Sequence, residues 1–247
     1  MKRIIVLGAT SGIAEAVERK MAAGRHELLL VARSPERLAV LREDLLIRGA
    51  TQVLTFVADF DSPADCVRLF DFARQSFPDF DTVLLAYGSM PDQEQCKHSI
   101  DLTARQLHTD FVSAACILTL FADYLEERKT GCLAVITSVA GDRGRRSNYV
   151  YGSAKGGLSH FLEGLRARLH ASGVRVITIK PGPVDTKMTA HLPRDTSFAS
   201  PMRVASDIYR SLQRGRPDIL YTPRYWRYVM LCVRALPEWI FKRQHKI

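Results

Sequence analysis

The stretch Arg3-Ile4-Ile5-Val6-Leu7-Gly8-Ala9-Thr10-Ser11-Gly12-Ile13 stands near the start of the chain and decides its fold. Arg3–Leu7 predicts a short strand, and Ile13–Ala23 predicts an amphipathic helix directly after the two glycines. Glycines at such a turn let the backbone approach a phosphate group, and the helix N-terminus offers free N–H donors. An ordinary tight turn with a serine or threonine N-cap explains the same residues. The candidate phosphate-binding residues are Gly8, Thr10, Ser11, Gly12 and Ile13.

Apolar runs and amphipathic stretches continue to alternate as far as residue 180. The further predicted strands are Glu27–Ala32, Gln52–Val57, Thr82–Ala86, Gly131–Thr137 and Arg175–Lys180. The further predicted helices are Ser34–Arg48, Pro63–Ser76, Thr103–Glu127 and Tyr151–Ser172. Nearly continuous apolar strands are typical of parallel strands buried on both faces, so the pattern predicts an α/β fold with a doubly wound parallel sheet. We expect one domain, with a dinucleotide-binding and catalytic core over 1–190 and a substrate lid and basic aromatic extension over 191–247.

The composition narrows the class of protein. The five cysteines are scattered and none forms a CxxC pair, which favours a reducing compartment and predicts no metal site. The apolar run at the start is too short for a signal-peptide core. No uninterrupted apolar run reaches the roughly 18 residues that cross a bilayer. We therefore expect a cytoplasmic protein.

Arg33 follows the second predicted strand, where a dinucleotide fold faces the adenosine ribose. An acidic residue there would hydrogen-bond the free 2′-hydroxyl, whereas a guanidinium can bind a 2′-phosphate. The sequence favours NADP(H) and leaves NAD(H) open. A solvated arginine at the start of a helix is the competing interpretation.

Tyr151 and Lys155 stand four residues apart in a predicted helix, so that their side chains share one face. Free tyrosine titrates near a pKa of about 10, and a neighbouring ammonium lowers that pKa toward the working range of a proton donor. Ser138 ends the fifth predicted strand, at the sheet edge where open α/β folds bind ligands. An exposed Tyr–Lys pair and a turn-capping serine are the competing interpretations.

These motifs together resemble the short-chain dehydrogenases/reductases. The matching residues are Gly8-Ala-Thr-Ser-Gly12-Ile13, Ser138, Tyr151-Gly-Ser-Ala-Lys155 and Pro181-Gly182-Pro-Val184-Asp-Thr186, over residues 1 to about 190. The resemblance implies a Rossmann-type fold, a catalytic Ser138–Tyr151–Lys155 group and a homodimer or homotetramer built on long helices. It also implies cofactor contacts from Asp59, Phe60, the Ala86-Tyr87-Gly88 loop, Pro181, Gly182, Val184 and Thr186.

The chain departs from the family pattern at three places. Ala14 stands where a third small residue, usually glycine, is common, and Ala86-Tyr87-Gly88 replaces the usual Asn-Asn-Ala-Gly. Asp110 falls where the family has an asparagine that holds a helix bulge and a water of the proton relay. Whether Asp110 takes over that role is left open.

Other stretches resemble one branch, the reductases of decaprenylphosphoryl-2-keto-pentose. They are Gly141-Asp-Arg-Gly-Arg-Arg-Ser-Asn-Tyr-Val-Tyr151, Thr186-Lys-Met-Thr-Ala-His191-Leu and Tyr228-Val-Met-Leu-Cys-Val-Arg234-Ala-Leu-Pro237. This resemblance implies reduction of a keto group on a lipid-linked, polyprenyl-phosphate sugar. Two alternatives stay open: a reductase of a 3-ketoacyl thioester or small ketone, and a non-catalytic dinucleotide-binding sensor or interaction subunit.

Arg143, Arg145 and Arg146 lie between Ser138 and Tyr151, beside the expected substrate entrance. Three guanidiniums there can bind a substrate phosphate in bidentate fashion, and Met188 and His191 are further candidate substrate contacts. A solvated basic loop or a subunit contact is the competing interpretation.

The basicity of the chain belongs to its C-terminus. Of a formal net charge of +9, most falls in residues 203–247, which hold ten Lys and Arg against three Asp and Glu. Trp, Tyr, Arg and Lys alternate with short apolar runs from Arg224 to Ile247, as at a bilayer interface. We expect contact with an anionic membrane at the inner face of the cell, and an arm that packs on a partner subunit is the alternative. Nucleic acid is not expected, because no reader motif accompanies the charge.

Overall fold

Across residues 1–193 and 196–243, which the computed structural model describes, seven strands form one parallel sheet. The strands are β1 (Arg3–Leu7), β2 (Glu27–Ala32), β3 (Gln52–Val57), β4 (Thr82–Leu85), β5 (Cys132–Ile136), β6 (Arg175–Pro181) and β7 (Ile219–Thr222). Their order across the sheet is β3-β2-β1-β4-β5-β6-β7, and every neighbouring pair is parallel. The predicted doubly wound α/β sheet is confirmed.

Helices cover both faces of this sheet. The α-helices are α1 (Gly12–Ala23), α2 (Pro35–Ile47), α3 (Pro63–Ser76), α4 (Gln93–Cys96), α5 (Ile100–Leu107), α6 (Ser113–Arg128), α7 (Tyr149–His170), α8 (Pro201–Arg214), α9 (Trp226–Ala235) and α10 (Glu238–Phe241). Side chains alternate along each strand between the two faces. In β1, Ile4 and Val6 join the core under α1, α2 and α8, while Ile5 and Leu7 join the core under α3, α6 and α7. Both faces are therefore apolar, as the unbroken apolar strands predict.

The predicted helix Thr103–Glu127 lies within a helical segment that is continuous from Ile100 to Arg128. The segment begins as α5 and includes a π-helical turn over His108–Val112 before α6 starts. A π turn adds one residue to the helical repeat and leaves the apolar periodicity on each side intact. The polar side chain at its centre is Asp110, which is buried in the candidate site described below.

After Pro181 the structure has one more strand of the sheet, β7, than the sequence predicts. The four residues of β7 lie between Pro217 and Pro223 and pair with β6 at the edge of the sheet. Prolines are tolerated at an edge strand because only one side of the strand needs hydrogen-bond donors. α8 packs on α1 and belongs to the same layer. The division at residue 190 stays a prediction, and within residues 191–247 the positions 194–195 and 244–247 lie outside the described residues.

Glu18 is the unexpected polar residue of α1, because its side chain is fully buried and neither carboxyl oxygen has a hydrogen-bond partner among the described residues. Burial raises its pKa well above the ordinary value of 4.5. The folded chain therefore keeps a proton that the unfolded chain loses as pH rises above 4.5, and this group lowers stability as pH rises toward the folded pKa.

We expect Glu18→Gln to match the parent near pH 5 and to exceed its free energy of unfolding by about 1–3 kcal/mol near pH 8. Urea denaturation at the two pH values measures the difference. Glu127→Gln, at an exposed position of α6, is the control. An equal advantage of Glu18→Gln at both pH values would contradict the buried-carboxyl interpretation.

Candidate active site

A cavity of about 450 Å³ opens at the carboxyl edge of the sheet. β1 and β4, whose chain connections run in opposite directions across the sheet, end there together with β5 and β6. Such switch points are where open α/β sheets bind ligands. Most predicted site residues line this cavity: Thr10, Ser11, Gly12, Ile13, Ala86, Tyr87, Gly88, Ser138, Arg145, Tyr151, Lys155, Pro181, Gly182, Val184, Thr186 and Met188. Gly8, Arg33, Asp59, Phe60, Asp110, Arg143, Arg146 and His191 do not line it.

The turn between β1 and α1 lets a ligand approach its backbone closely. Gly8 has a φ of +86°, and a Cβ there would lie 2.6 Å from the backbone nitrogen of Tyr87. Ser11 caps α1 by accepting a hydrogen bond from the backbone N–H of Ala14. A Cβ on Gly12 would lie 3.1 Å from Thr186 Cγ2, so this position leaves the helix N-terminus bare toward the cavity. The turn presents free N–H donors to an anionic group.

Ser138, Tyr151 and Lys155 meet on one wall of the cavity. Ser138 follows β5 in extended backbone, and its Oγ accepts a hydrogen bond from the backbone N–H of Ala140 at 3.1 Å. Tyr151 hydrogen-bonds Ser138 and is 9% exposed. The Nζ of Lys155 lies 5.8 Å from the centre of the Tyr151 ring. The predicted group is thus brought together, with hydroxyl, phenol and ammonium facing one space.

The pKa of Tyr151 is raised above its ordinary value of 10.0. Burial is the largest cause, and the charge of Asp110 adds to it. Lys155 and the hydrogen bond with Ser138 act in the opposite direction, as the sequence predicts for Lys155. Burial outweighs them in the protein alone, so the net direction is upward and Tyr151 carries its proton. The arrangement is that of a proton donor.

Asp110 lies behind Lys155 in the π turn and is 1% exposed. Its Oδ1 accepts a hydrogen bond from the backbone N–H of Ser89, and its Oδ2 accepts one from Gln106 Nε2, each at 2.8 Å. Lys155 Nζ lies 3.5 Å from Asp110 Oδ2. Gly88 permits this packing, since a Cβ there would lie 2.8 Å from Lys155 Nζ. Asp110 therefore marks the helix bulge and contacts the lysine directly.

Burial raises the pKa of the Asp110 carboxyl, while Lys155 and the two hydrogen bonds act to lower it. A carboxyl can hold or release a proton, which an amide cannot. Asp110 is thus chemically distinct from the asparagine of the family pattern, although it occupies the same bulge.

The segment after β6 forms the opposite wall. Val184 bridges to Ala199 and is buried, and Thr186 begins a short 3-10 turn that includes Met188. A Cβ on Gly182 would lie 1.9 Å from the indole nitrogen of Trp226, so α9 packs directly on this segment. The indole nitrogen is buried without a hydrogen-bond partner among the described residues. The C-terminal helices therefore form part of the frame of the cavity.

The residues predicted to face the adenosine end lie at or beyond the cavity rim. Arg33 is exposed after β2 and makes no hydrogen bond or ion pair with another described residue. Asp59 is exposed after β3, and Phe60 stacks on Tyr87 with ring centres 4.2 Å apart. Phe60 thus supports the β4 loop rather than lining the cavity. Sequence reasoning missed Arg37, whose Nη2 donates to the carbonyl of Thr10 at 2.7 Å.

The three predicted substrate arginines do not converge, which corrects the expected three-guanidinium site. Arg143 turns to the C-terminal helices, donating to the carbonyls of Val233 and Leu236 at 2.5 and 2.6 Å. Its guanidinium also lies 3.8 Å from the centre of the Phe241 ring. These contacts fix the end of α9 because they satisfy its last carbonyls. Arg146 and His191 are exposed and outside the cavity.

Arg145 is the one arginine of this loop that lines the cavity. Its Nη2 contacts Met230 Sδ at 3.5 Å, and its Nε is buried without a hydrogen-bond partner among the described residues. Burial lowers its pKa from the ordinary value of 12.5. A guanidinium still holds its charge under such a shift. The site therefore holds one half-buried cation with spare donors.

Other lining residues were missed, among them Met90, Leu192 and Asn148. Met90 and Leu192 add apolar wall, and Asn148 lines the cavity with a buried Oδ1 that has no hydrogen-bond partner among the described residues. Arg37 was the one with a signal, because it lies in the first turn of α2, four residues after Arg33. Within the described ranges, no group of three or more His, Cys, Asp or Glu side chains could hold a metal ion. Among these same residues no helix is long and apolar enough to span a bilayer.

Comparisons with known proteins place these features in a context. The model of the short chain dehydrogenase family matches residues 2–197. An uncharacterized oxidoreductase of Mycobacterium tuberculosis is 33% identical over 97% of this chain and 96% of its own. One of Streptomyces coelicolor is 33% identical over 98% and 95%.

Solved structures share the fold at lower identity. A short-chain dehydrogenase of Sphingobium yanoikuyae, in complex with NADPH, superposes with a TM-score of 0.83 at 19% identity, covering 100% of this chain and 97% of that one. A short chain dehydrogenase of Burkholderia cenocepacia, in complex with NADP, gives a TM-score of 0.84 at 17% identity over the whole of both chains.

Proposed function

The chain belongs to the short-chain dehydrogenase family, and from this premise we propose that it is an NADP(H)-dependent reductase that converts a keto group to a secondary alcohol. The observation that carries the proposal is the meeting of Ser138, Tyr151 and Lys155 on one wall of a cavity at the sheet edge. The predicted family and oxidoreductase class are confirmed by the family match. Because members of this family bind a nicotinamide dinucleotide, this is the expected cofactor.

The proton step follows from the site as described. Tyr151 is neutral because of its burial, so its Oη can give a proton to a carbonyl oxygen in the cavity. Ser138 hydrogen-bonds Tyr151 and can donate to the same carbonyl oxygen, which fixes its position. Lys155 stabilises the phenolate that remains, since its ammonium favours the charged form. Asp110 contacts Lys155 Nζ from behind and is the next group that could return a proton.

The residues present fit a dinucleotide. The bare N-terminus of α1 at Gly12 suits the pyrophosphate, and a side chain is excluded at Gly8 by the backbone 2.6 Å away and crowded at Gly12 by Thr186 at 3.1 Å. Lys155 would hold the nicotinamide ribose, and the segment from Pro181 to Thr186 would hold the carboxamide end. When bound, the nicotinamide supplies the hydride.

We propose NADP(H) rather than NAD(H) because two guanidiniums lie where the adenosine ribose would meet the rim. Arg33 is exposed and unpaired among the described residues, and Arg37 reaches the glycine turn at Thr10. A guanidinium binds a 2′-phosphate in bidentate fashion. The two structural neighbours were solved with NADPH and NADP, which supports the same choice.

We expect Arg33→Asp to weaken NADPH binding about ten- to a hundredfold, because it removes a charge-assisted contact and adds a repulsive charge. NADH affinity should change less than threefold or rise. Fluorescence titration with both dinucleotides gives the ratio, and Arg37→Asp tests the second guanidinium in the same way. Arg48→Asp, at the far end of α2, is the control. Equal weakening of NADPH and NADH by Arg33→Asp would refute its role.

For the substrate we propose a lipid-linked, polyprenyl-phosphate keto-sugar, the class implied by the likeness to the decaprenylphosphoryl-2-keto-pentose reductases. The support is Arg145, a half-buried guanidinium with an unpartnered Nε on the cavity wall. A phosphate satisfies such a donor and compensates the cost of its burial. The apolar side chains of Met90, Met188 and Leu192 on the cavity wall suit the lipid portion.

The experiment is NADPH oxidation against three ketone classes: 2-keto-pentosyl polyprenyl phosphates, acetoacetyl thioesters and simple ketones. We expect the highest kcat/KM with the phosphorylated sugar, and a rise of at least about tenfold in its KM in Arg145→Met. KM for a simple ketone should not move. Preference for the thioester, with no effect of Arg145→Met on KM for the phosphorylated sugar, would replace the substrate and leave the reaction class. A homodimer or homotetramer in the cytoplasm stays a prediction.

A further inference from the structure

A second cavity, separate from the catalytic one, lies between α8, β7 and the start of α9, with a volume of about 650 Å³. We call it the basic cleft, because five exposed arginines line it: Arg210, Arg214, Arg216, Arg224 and Arg227. None of its lining residues lines the catalytic cavity. The reaction proposed above therefore does not use this cleft.

Few acidic side chains neutralise the charges of the arginines in the basic cleft. Asp207 is the one acidic residue of its lining, and it is already bound by Arg210 at 3.1 Å and by the Thr222 hydroxyl at 3.0 Å. Arg214, Arg216, Arg224 and Arg227 form no ion pair with any residue of the described ranges. Cations held together without counter-charges raise the free energy of the surface until an anion binds.

Ser211 provides a second indication of a ligand. Its side chain is 4% exposed and forms part of the cleft wall, yet its hydroxyl has no hydrogen-bond partner among the described residues. A buried hydroxyl without a partner is costly and rare. Because Ser211 lines the cleft, a phosphate oxygen there is a candidate acceptor for this hydroxyl.

The helix that borders the cleft has two faces of different character. Met230 and Val233 of α9 are buried against the loop between Ser138 and Tyr151, which we call the catalytic loop. Met230 contacts Arg145 of this loop. Tyr228 and Leu231 are each 67% exposed on the outer face, with Arg227 beside them at the cleft. Aromatic and aliphatic side chains next to arginines suit the boundary between lipid headgroups and acyl chains.

We propose that the basic cleft and the outer face of α9 bind an anionic phospholipid bilayer, with lipid phosphates in the cleft and Tyr228 and Leu231 in the upper acyl region. Charge complementarity selects this occupant over a second copy of the chain. A two-fold contact with its axis at the cleft would place one arginine cluster against the same cluster of the partner, which is repulsive. Because α9 also contacts Arg145, this binding would hold the catalytic loop close to the membrane.

The test uses the full-length chain without substrate, so that its outcome does not depend on the proposed reaction. Vesicles of phosphatidylcholine alone are compared with vesicles of equal parts phosphatidylcholine and phosphatidylglycerol by cosedimentation. We expect binding to the anionic vesicles alone, weakened by salt. The variant Arg216→Gln/Arg224→Gln/Arg227→Gln should lose about a hundredfold in partition, since each basic residue near an anionic surface adds roughly a fivefold gain.

A matched control removes the same charge from other faces, as Arg48→Gln/Arg74→Gln/Arg105→Gln, and should bind nearly as the parent does. Leu231→Ser, which keeps every charge, should weaken binding about tenfold. Equal losses in both triple variants would overturn the cleft as the site. Binding of inorganic pyrophosphate without any binding to vesicles would overturn the lipid assignment, and a shift of the cleft variant to a smaller assembly in size-exclusion chromatography would identify a subunit contact instead.

Discussion

Tyr151→Phe is expected to lower kcat for NADPH-dependent ketone reduction by about 10²–10⁴-fold, because it removes the phenol that gives its proton to the carbonyl oxygen. The ring and its packing are retained, so the Kd for NADPH should change less than about threefold. Steady-state NADPH oxidation gives kcat, and fluorescence titration gives Kd. Full turnover in this variant would exclude Tyr151 as the acid.

A matched control lies two residues earlier in the same helix. Tyr149 is 42% exposed and does not line the cavity. Tyr149→Phe removes the same hydroxyl from the first turn of α7 and should leave kcat unchanged. A loss as large as that of Tyr151→Phe would mean that the effect comes from the helix and not from the proton donor.

Lys155→Met is expected to have the second large effect, because Lys155 interacts with both the phenol of Tyr151 and the buried carboxyl of Asp110. It removes the ammonium that favours the phenolate, so we expect a loss in kcat of at least about a hundredfold. It also leaves Asp110 without its cation, and breaking a buried pair costs about 3–5 kcal/mol in general. The cost should be smaller here at low pH, because the pKa of Asp110 is already raised and the carboxyl can protonate.

The double variant Lys155→Met/Asp110→Asn separates these effects. The amide needs no cation, so the free energy of unfolding should return toward that of the parent, while turnover stays lost. Urea denaturation and NADPH oxidation on the four corners of the cycle measure both quantities. The single change Asp110→Asn should keep most of the turnover and alter its pH profile. Recovery of turnover in the double variant would show that Lys155 acts through folding alone.

The strands and the group of Ser138, Tyr151 and Lys155 could be predicted from the sequence for a physical reason. A parallel strand buried on both faces must be apolar throughout, so β1, β2 and β5 could be located to within a residue or two. The group of Ser138, Tyr151 and Lys155 was accessible because one helical turn joins two members and a strand end supplies the third.

What escaped prediction depends on contacts between distant segments. The π turn at Asp110 leaves the apolar periodicity of α5 and α6 intact, so the periodicity does not show it and only the family resemblance indicates a bulge there. Arg143 and Arg145 stand two residues apart in the same loop, yet one binds the carbonyls that end α9 and the other lines the cavity. No local rule distinguishes them, because the partner of Arg143 lies about ninety residues away.

The net direction of the pKa shift of Tyr151 could also be obtained only from the structure. Spacing alone predicts that Lys155 lowers its pKa, and this influence is present. Burial acts in the opposite direction and is larger, but the extent of burial is decided by the cavity walls from β5, α7 and the segment after β6. A neutral Tyr151 is what a reductase needs at the start of the proton step.

The central claim, reduction of a ketone at Tyr151, is tested most directly with NADPH that carries deuterium at the hydride position of the nicotinamide ring. The parent protein is incubated with each of the three ketone classes, and the products are analysed by mass spectrometry. We predict one deuterium on the carbinol carbon of the product, and about 10²–10⁴-fold less labelled product per unit time in the Tyr151→Phe reaction. NADPH that binds but stays unoxidised with every ketone would contradict the account and indicate a dinucleotide-binding protein without turnover.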